Sequence, residues 1–231
     1  MNTQKASNAK VQIVKDGPYM VSGSLPMNKQ TIGTNSVGES VKWIAGQTYA
    51  PQATYQLCRC GHSAKKPYCD GSHAKVGFDG TETASREPYQ SQAKVMQGPT
   101  LSLTDAEQLC AFARFCDPHG QVWNLVNETD NPSARKNFVR QVGDCPSGRL
   151  VAWDNVTGKS IEPNYEPSIG LIEDPANQCA GPLWLRGGVQ VIGADGYHYE
   201  VRNRVTLCRC GASKYKPFCD GTHAAIKFKD E

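Results

Sequence analysis

Residues 58–73 read CRCGHSAKKPYCDGSH, and residues 208–223 read CRCGASKYKPFCDGTH. The two stretches share the pattern C-x-C-x2-S-x3-P-x-C-D-G-[ST]-H, so each carries three thiols and one imidazole at the same offsets. Thiolate sulfur and imidazole nitrogen are ligands of zinc and of iron–sulfur clusters. The sequence therefore predicts two metal sites, whose ligands are Cys58, Cys60, Cys69 and His73 in the first copy and Cys208, Cys210, Cys219 and His223 in the second.

The residue types alone leave two metals open. Three cysteines and one histidine form a known structural zinc set, although zinc patterns usually begin with two thiols that are two to four residues apart. Imidazole also replaces thiolate on one iron of certain [2Fe–2S] cores. An iron–sulfur protein is therefore one prediction, and a structural zinc module for protein interaction is the alternative.

Both copies resemble the signature of the CDGSH iron–sulfur (NEET) proteins at every defined position. The resemblance implies one [2Fe–2S] cluster in each copy, bound by the eight ligands above. It also implies a function in electron transfer, cluster transfer or redox sensing, with redox or cluster-acceptor proteins as partners. NEET proteins with one motif per chain form homodimers with intertwined strands. We therefore expect the two copies here to pair within one chain, as a pseudo-dimer in a monomer.

The surroundings of the motifs predict an α+β fold. The chain has 22 glycines and 14 prolines, which favours turns and short strands over long helices. The strand-like segments before each motif and the Gly-Pro pairs at 17–18 and 181–182 indicate that a whole β-rich unit is duplicated. We predict CDGSH domains at 1–97 and 166–231 and a ferredoxin-like α+β insert domain at 98–165. Residues 23–40 are expected to form turns, and 84–94 to form a linker.

The insert carries three further cysteines. Cys110, Cys116 and Cys145, the last followed by Pro146, resemble the cysteines of small single-cluster ferredoxins, with Ala113 where the middle cysteine would stand. This resemblance implies a third cluster, [3Fe–4S] or [4Fe–4S]. A disulfide and free buried thiols remain open, as does the role of Cys179.

Two local patterns in the insert predict helices. Residues 104–107 have the form of a capping box, which predicts a helix leading to Cys110. Asn131 and Pro132 predict the start of another helix, which ends at Gly143.

The overall composition argues against several other classes of function. A net charge of +3 is nearly balanced, so it favours neither nucleic acid nor a membrane surface as a partner. No apolar run approaches the ~20 residues that a membrane span needs, and residues 1–10 lack the apolar core of a signal peptide. Six of the ten cysteines lie in the two motifs, which favours a reducing, cytoplasmic location. No catalytic triad or phosphate loop is present, so we do not expect an enzyme.

Overall fold

A computed structural model describes residues 9–230. The strands are β1 (Lys10–Ile13), β2 (Tyr19–Ser22), β3 (Met27–Thr34), β4 (Ser40–Thr48), β5 (Thr54–Leu57), β6 (Lys94–Gln97), β7 (Leu101–Asp105), β8 (Leu150–Asp154), β9 (Ser160–Ile161), β10 (Ser168–Asp174), β11 (Cys179–Arg186), β12 (Gln190–Ile192) and β13 (Arg204–Leu207). The helices are α1 (Ser72–Lys75), α2 (Tyr89–Gln92), α3 (Val122–Leu125), α4 (Pro132–Gly143) and α5 (Thr222–Ala225). This is the predicted α+β class, with two β-rich CDGSH units and a central insert.

The two CDGSH units are built on the same strand pattern. One sheet has the order β12-β1-β2-β5, and the other has the order β13-β11-β10-β3-β4. Tyr19 pairs with Leu57 in the first sheet as Leu183 pairs with Leu207 in the second. Because Tyr19 and Leu183 each follow a Gly-Pro pair, the repeat predicted from sequence is also a structural repeat.

The units exchange one strand each. Strand β3, which follows β2 in the chain, pairs in parallel with β10 of the other sheet. Strand β12, which follows β11, pairs in parallel with β1. Each sheet therefore contains strands from both ends of the chain, and the predicted pseudo-dimer is confirmed.

The two motif loops meet at equivalent glycines. Gly61 lies at φ 81° against the backbone of Cys210, and Gly211 lies at φ 79° against the backbone of Cys60. A Cβ at either position would overlap a carbonyl group, and positive φ is a conformation that glycine adopts without strain. The contact is reciprocal, as expected beside a pseudo-twofold axis.

The main core lies between the two sheets and contains Tyr19 and Leu57 from one unit and Leu183 and Leu207 from the other. The hydroxyl of Tyr19 donates to the carbonyl of Cys208 at 2.7 Å, so a core residue of one unit supports the motif loop of the other. Because residues of both units bury their apolar side chains in this one core, each unit depends on the other to remove that surface from water.

Two expectations for the N-terminal half were wrong. Residues 27–34 form β3 rather than turns, because β10 and β4 supply hydrogen-bonding partners on both sides. Residues 84–94 are not a free linker, since Tyr89 is buried and its hydroxyl contacts Thr104 and the carbonyl of Arg149. The contacts that order both segments are distant in sequence.

The insert forms a four-stranded sheet in the order β6-β7-β8-β9, with α4 packed on β8. Helix α4 spans Pro132–Gly143, and Asn131 accepts hydrogen bonds from two backbone N–H groups of its first turn. The predicted start and end of this helix are confirmed. Strand β6 lies before the predicted boundary at 97/98, and this and the other predicted domain limits stay predictions. Residues 1–8 of the predicted first domain lie outside the described part of the chain.

The predicted capping box does not begin a helix. Thr104 belongs to β7, pairs with Val151, and uses its hydroxyl to contact Tyr89 and Trp153. Only a 3-10 turn, Glu107–Leu109, follows, and the backbone from Cys110 to Phe115 is irregular. The prediction of a helix cap at these residues was wrong, because Thr104 and Asp105 pair with neighbouring strands of the sheet.

The insert packs on the second sheet through aromatic residues. Phe115 of the insert contacts Trp43 of β4, and Trp43 also contacts Trp184 of β11, each with ring centroids 4.7 Å apart. Ala113 and Ile172 complete this cluster. The contact places the 110–116 loop beside the unit that carries the second motif. Within residues 9–230, no helix is both long and apolar enough to cross a lipid bilayer.

Candidate metal centres

Each CDGSH motif begins where the last strand of its sheet ends. Cys58 follows β5 and Cys208 follows β13, and both N–H groups donate to a proline carbonyl across the loop, at 2.8 and 2.9 Å. The proline in each loop follows a cis peptide bond, at Lys66–Pro67 and Lys216–Pro217. The N–H of Cys69 donates to the carbonyl of Gln56 in β5, and the N–H of Cys219 donates to that of Thr206 in β13, so the third cysteine of each motif lies beside the strand that leads to the first.

In each copy, one helical turn begins directly after the Asp-Gly pair and carries the predicted ligand histidine, α1 in the first and α5 in the second. Asp70 accepts from the N–H of Ser72 at 3.0 Å and from the N–H of Ala64 at 2.8 Å. Hydrogen bonds from Ser72 and Ala64 hold the pKa of this carboxyl well below its usual range. Asp220 makes the same two bonds in the second copy. Each aspartate thus connects the motif loop, through Ala64 or Lys214, to the helical turn that carries the histidine.

The eight predicted ligands come together as four pairs. The sulfurs of Cys58 and Cys60 lie 3.8 Å apart, and those of Cys208 and Cys210 lie 3.7 Å apart. Cys69 Sγ lies 3.4 Å from His73 Nδ1, and Cys219 Sγ lies 3.3 Å from His223 Nδ1. Two thiolates at about 2.3 Å from one tetrahedral metal would be separated by about 3.8 Å. Each pair therefore has the spacing of two ligands on one metal.

This arrangement fits a cluster of two metals. Among residues 9–230, no group of three or more His, Cys, Asp or Glu side chains is placed to hold one metal ion. The two pairs of a copy are nonetheless neighbours, since the charge of Cys58 acts on Cys69 and that of Cys208 acts on Cys219. A [2Fe–2S] core takes two ligands on each iron, so two adjacent pairs fit it.

Backbone N–H groups point at the ligand sulfurs. Gly71 and Gly221 donate to Cys69 and Cys219, each at 3.4 Å, and His62 donates to Cys60 at 3.4 Å. Such donors stabilise a thiolate more than a thiol. Burial nevertheless raises the pKa of Cys60 to about 11, so an anionic ligand set forms together with metal binding. In the close pair of the second site, the hydrogen bond from Cys210 lowers the pKa of Cys208 and raises that of Cys210, so Cys208 ionises before Cys210.

The two sites differ in exposure to solvent. His223 and Cys219 are only 4% and 3% exposed, whereas His73 and Cys69 are half-buried. Helix α1 has no buried residue, whereas α5 buries His223 and Ala224. Burial, together with the charge of Arg209, lowers the pKa of His223 to about 4.

The arginine between the first two cysteines is also placed differently. Arg209 is buried and pairs with Glu173 at 3.2 Å and with Asp230. Arg59 is equally buried, but its partners are the carbonyls of Gly80 and Val14, and its Nε atom has none. Within residues 9–230 no carboxylate lies in ion-pair contact with Arg59. The arginine of the first site therefore lacks an ion-pair partner among these residues, whereas that of the second site has two.

The three insert cysteines line one small pocket. Cys110, Cys116 and Cys145 surround it together with Ala113 and Arg149. Burial raises the pKa of Cys116, and Asp117, Cys145 and Cys110 raise it further, so the three thiols are close enough to interact. All ten cysteines are free thiols, and Cys179 lies on β11 outside this pocket.

The loop between Cys110 and Cys116 has an unusual backbone. Phe112 and Arg114 adopt positive φ, at 55° and 61°. Left-handed residues in a loop can turn neighbouring N–H groups towards one side, and such a concavity suits anions such as iron–sulfur clusters. The donor set and the loop therefore fit a third cluster with three cysteine ligands. Sequence reasoning predicted the cysteines but not this loop, whose bulky residues gave no signal of positive φ.

Comparison with known families agrees with the geometry. The family model described as "Iron-binding zinc finger CDGSH type" matches residues 16–74 and 180–224. A second model, described as "Divergent 4Fe-4S mono-cluster", matches residues 96–155 between them. Searches of curated proteins and of solved structures gave no significant match. The matches show an iron–sulfur protein with tandem CDGSH units and a divergent ferredoxin-like insert.

Proposed function

We propose that this chain, which belongs to the CDGSH iron-binding family, holds one [2Fe–2S] cluster in each CDGSH unit and acts in electron transfer or iron–sulfur cluster transfer. The observation that carries this proposal is the arrangement of the ligands as two adjacent pairs in each unit. A structural zinc site would instead require four ligands around one ion.

The protein residues determine how each centre is held. When bound, a core with three thiolates and one imidazole carries less negative charge than an all-thiolate core and accepts an electron at a higher potential. Gly71 and Gly221 donate hydrogen bonds to the ligand sulfurs, while Arg59 and Arg209 place positive charge behind them. These groups stabilise added negative charge at the two sites to different degrees.

The proposal extends to the insert. Cys110, Cys116 and Cys145 would hold a third cluster, [3Fe–4S] in composition, with [4Fe–4S] as the other possibility. The support is the shared pocket, the positive-φ loop and the match of residues 96–155 to a divergent single-cluster family. With three centres and no catalytic constellation in its sequence, the chain would serve as a carrier rather than an enzyme.

The partners and location follow from the same features. Redox or cluster-acceptor proteins would be the partners, and neither nucleic acid nor a membrane is required. The two CDGSH units pair with each other through exchanged strands, which supports a monomer. Ten free thiols support a reducing, cytoplasmic location.

Anaerobic purification followed by metal and sulfide analysis tests the proposal. We expect a red-brown protein with about seven irons, two from each CDGSH unit and three from the insert. An oxidised [3Fe–4S] centre is paramagnetic, whereas oxidised [2Fe–2S] centres are silent, so electron paramagnetic resonance (EPR) detects the insert centre alone. Cys145→Ser should remove that signal and about three irons while the CDGSH absorption remains.

Other results would contradict parts of the proposal. A colourless protein with bound zinc would establish the structural zinc alternative. About four irons without an EPR signal in the oxidised state would restrict the proposal to the two CDGSH units.

A further inference from the structure

The insert loop lies directly on the ligand turn of the C-terminal site. An ideal Cβ on Gly221 would lie 3.1 Å from the carbonyl oxygen of Cys110 and 3.4 Å from Cβ of Phe112. Gly221 stands between the ligands Cys219 and His223 in the chain. At the N-terminal site, the same Cβ on Gly71 would meet no atom within 4 Å.

Two anchors hold the insert loop in this place. Phe115 is buried against Trp43 in the aromatic cluster on the second sheet. Arg114 forms a bidentate ion pair with Asp174 at 2.7 and 3.2 Å, and the Asp174 side chain is only 2% exposed. Although burial raises it, hydrogen bonds from Arg114 and Asn177 hold the pKa of Asp174 below its ordinary value, so the pair stays charged.

The N-terminal site opens to solvent instead. His73 borders an open groove that is also lined by Lys15, Phe78 and Asp79. The outer ligand pair, Cys69 and His73, is half-buried, and α1 buries none of its residues. Within the described residues, this pair is therefore more accessible from solvent than Cys219 and His223.

We propose that the two CDGSH sites have different functions: the N-terminal site exchanges its cluster with acceptor proteins, and the C-terminal site retains its cluster beneath the insert loop. This division of roles rests on the proposed function, since it requires that both sites hold clusters. The Arg114–Asp174 pair positions the loop over the second site and is not itself a ligand. A retained cluster in contact with the insert is suited to internal electron transfer, whereas an exposed one is suited to delivery.

The exchange is a ligand substitution, with the cluster as its substrate. Bonds from iron to Cys69 and His73, and then to Cys58 and Cys60, would break as bonds to four thiolates of the acceptor form. The acceptor thiols release four protons; the three freed cysteines take up three, and the fourth passes to solvent because an imidazole ligand is neutral when bound and is freed without a proton. No electron changes hands. The same substitution at Cys219 and His223 first requires the insert loop to move away, which is a local opening with its own free-energy cost.

Single-site variants test this difference. Cys219→Ser disables the C-terminal site, so only the N-terminal site can donate a cluster. Cys69→Ser disables the N-terminal site, so only the C-terminal site can donate. Each variant is incubated with the apo form of a plant-type ferredoxin. We expect transfer from the C-terminal site to be at least about tenfold slower, as for a site that must first open locally. Asp174→Asn in the Cys69→Ser background should recover much of that rate. Asp195→Asn, which breaks the exposed pair with Arg86, is the matched control and should change nothing.

A measurement on the unaltered chain avoids dependence on the variants. When an iron chelator removes the clusters in the presence of iodoacetamide, mass spectrometry should find Cys69 alkylated before Cys219. Equal transfer rates and simultaneous alkylation would overturn the division of roles and leave the proposed function standing, because both sites would still bind iron. If neither single-site variant contains iron, the proposed function fails, and this inference fails with it.

Discussion

The N-terminal and C-terminal CDGSH sites have nearly the same sequence but different surroundings. Their ligand spacing, turns and backbone donors to sulfur match closely. They differ in what lies behind and in front of the ligands. Arg59 donates to backbone carbonyls, whereas Arg209 pairs with two carboxylates. His73 borders an open groove, whereas His223 is buried. Nearly identical motifs within one chain thus have different surroundings, because different residues pack around them.

The largest expected difference concerns the two buried arginines. Arg209→Met would leave Glu173 and Asp230 without their cation, at a cost of about 3–5 kcal/mol in the free energy of unfolding. Arg59→Met would leave carbonyl acceptors unpaired, at a cost of about 1–3 kcal/mol. Urea denaturation followed by tryptophan fluorescence measures both. Adding Glu173→Gln and Asp230→Asn to Arg209→Met should restore part of the loss, and equal costs for the two arginines would contradict the comparison.

The next difference concerns acid stability of the metal-free chain. The pKa of His223 falls from 6.5 to about 4 on folding, so below pH 6.5 the unfolded chain binds a proton that the folded chain does not. Stability is therefore complete above pH 6.5 and decreases as the pH falls towards 4, by at most about 3 kcal/mol. His223→Gln should remove this dependence in urea unfolding measured across pH, whereas His73→Gln should preserve it. A similar effect of both variants would show that the two histidines have equivalent surroundings.

The smallest expected difference concerns reduction potential. A buried cation without an ion-pair partner favours the more negative, reduced state of a nearby centre. The N-terminal centre should therefore have a higher reduction potential than the C-terminal one, by some tens of millivolts. A difference of about 59 mV is a tenfold change in the equilibrium constant of a one-electron reduction. Glu173→Gln with Asp230→Asn, in the Cys69→Ser background, should raise the C-terminal potential towards the N-terminal value. Redox titration followed by EPR measures both, and Asp195→Asn, which removes one exposed carboxylate outside the two motifs, is the control. A C-terminal potential that is already the higher one would reverse the proposed role of Arg59.

The sequence by itself determined the features that depend on local chemistry. The eight predicted ligands, the repeat and the three insert cysteines follow from residue type and spacing, because the donor atom of a side chain is a property of the residue itself. Helix α4 was predictable because Asn131 caps it through the N–H groups of its own first turn. The capping-box pattern at 104–107 failed because β6 and β8 pair with Thr104 and its neighbours on both sides.

Only the tertiary structure decided how the two sites differ. Strand β3 is polar and irregular in pattern, and it is a strand because β10, far away in sequence, pairs with it. The partners of Arg209 and the cover over His223 come from β10, from Asp230 and from the insert loop, none of which belongs to the second motif. Burial and ion pairing are sums over contacts between distant segments, so two nearly identical motifs gave no sign that their surroundings would diverge.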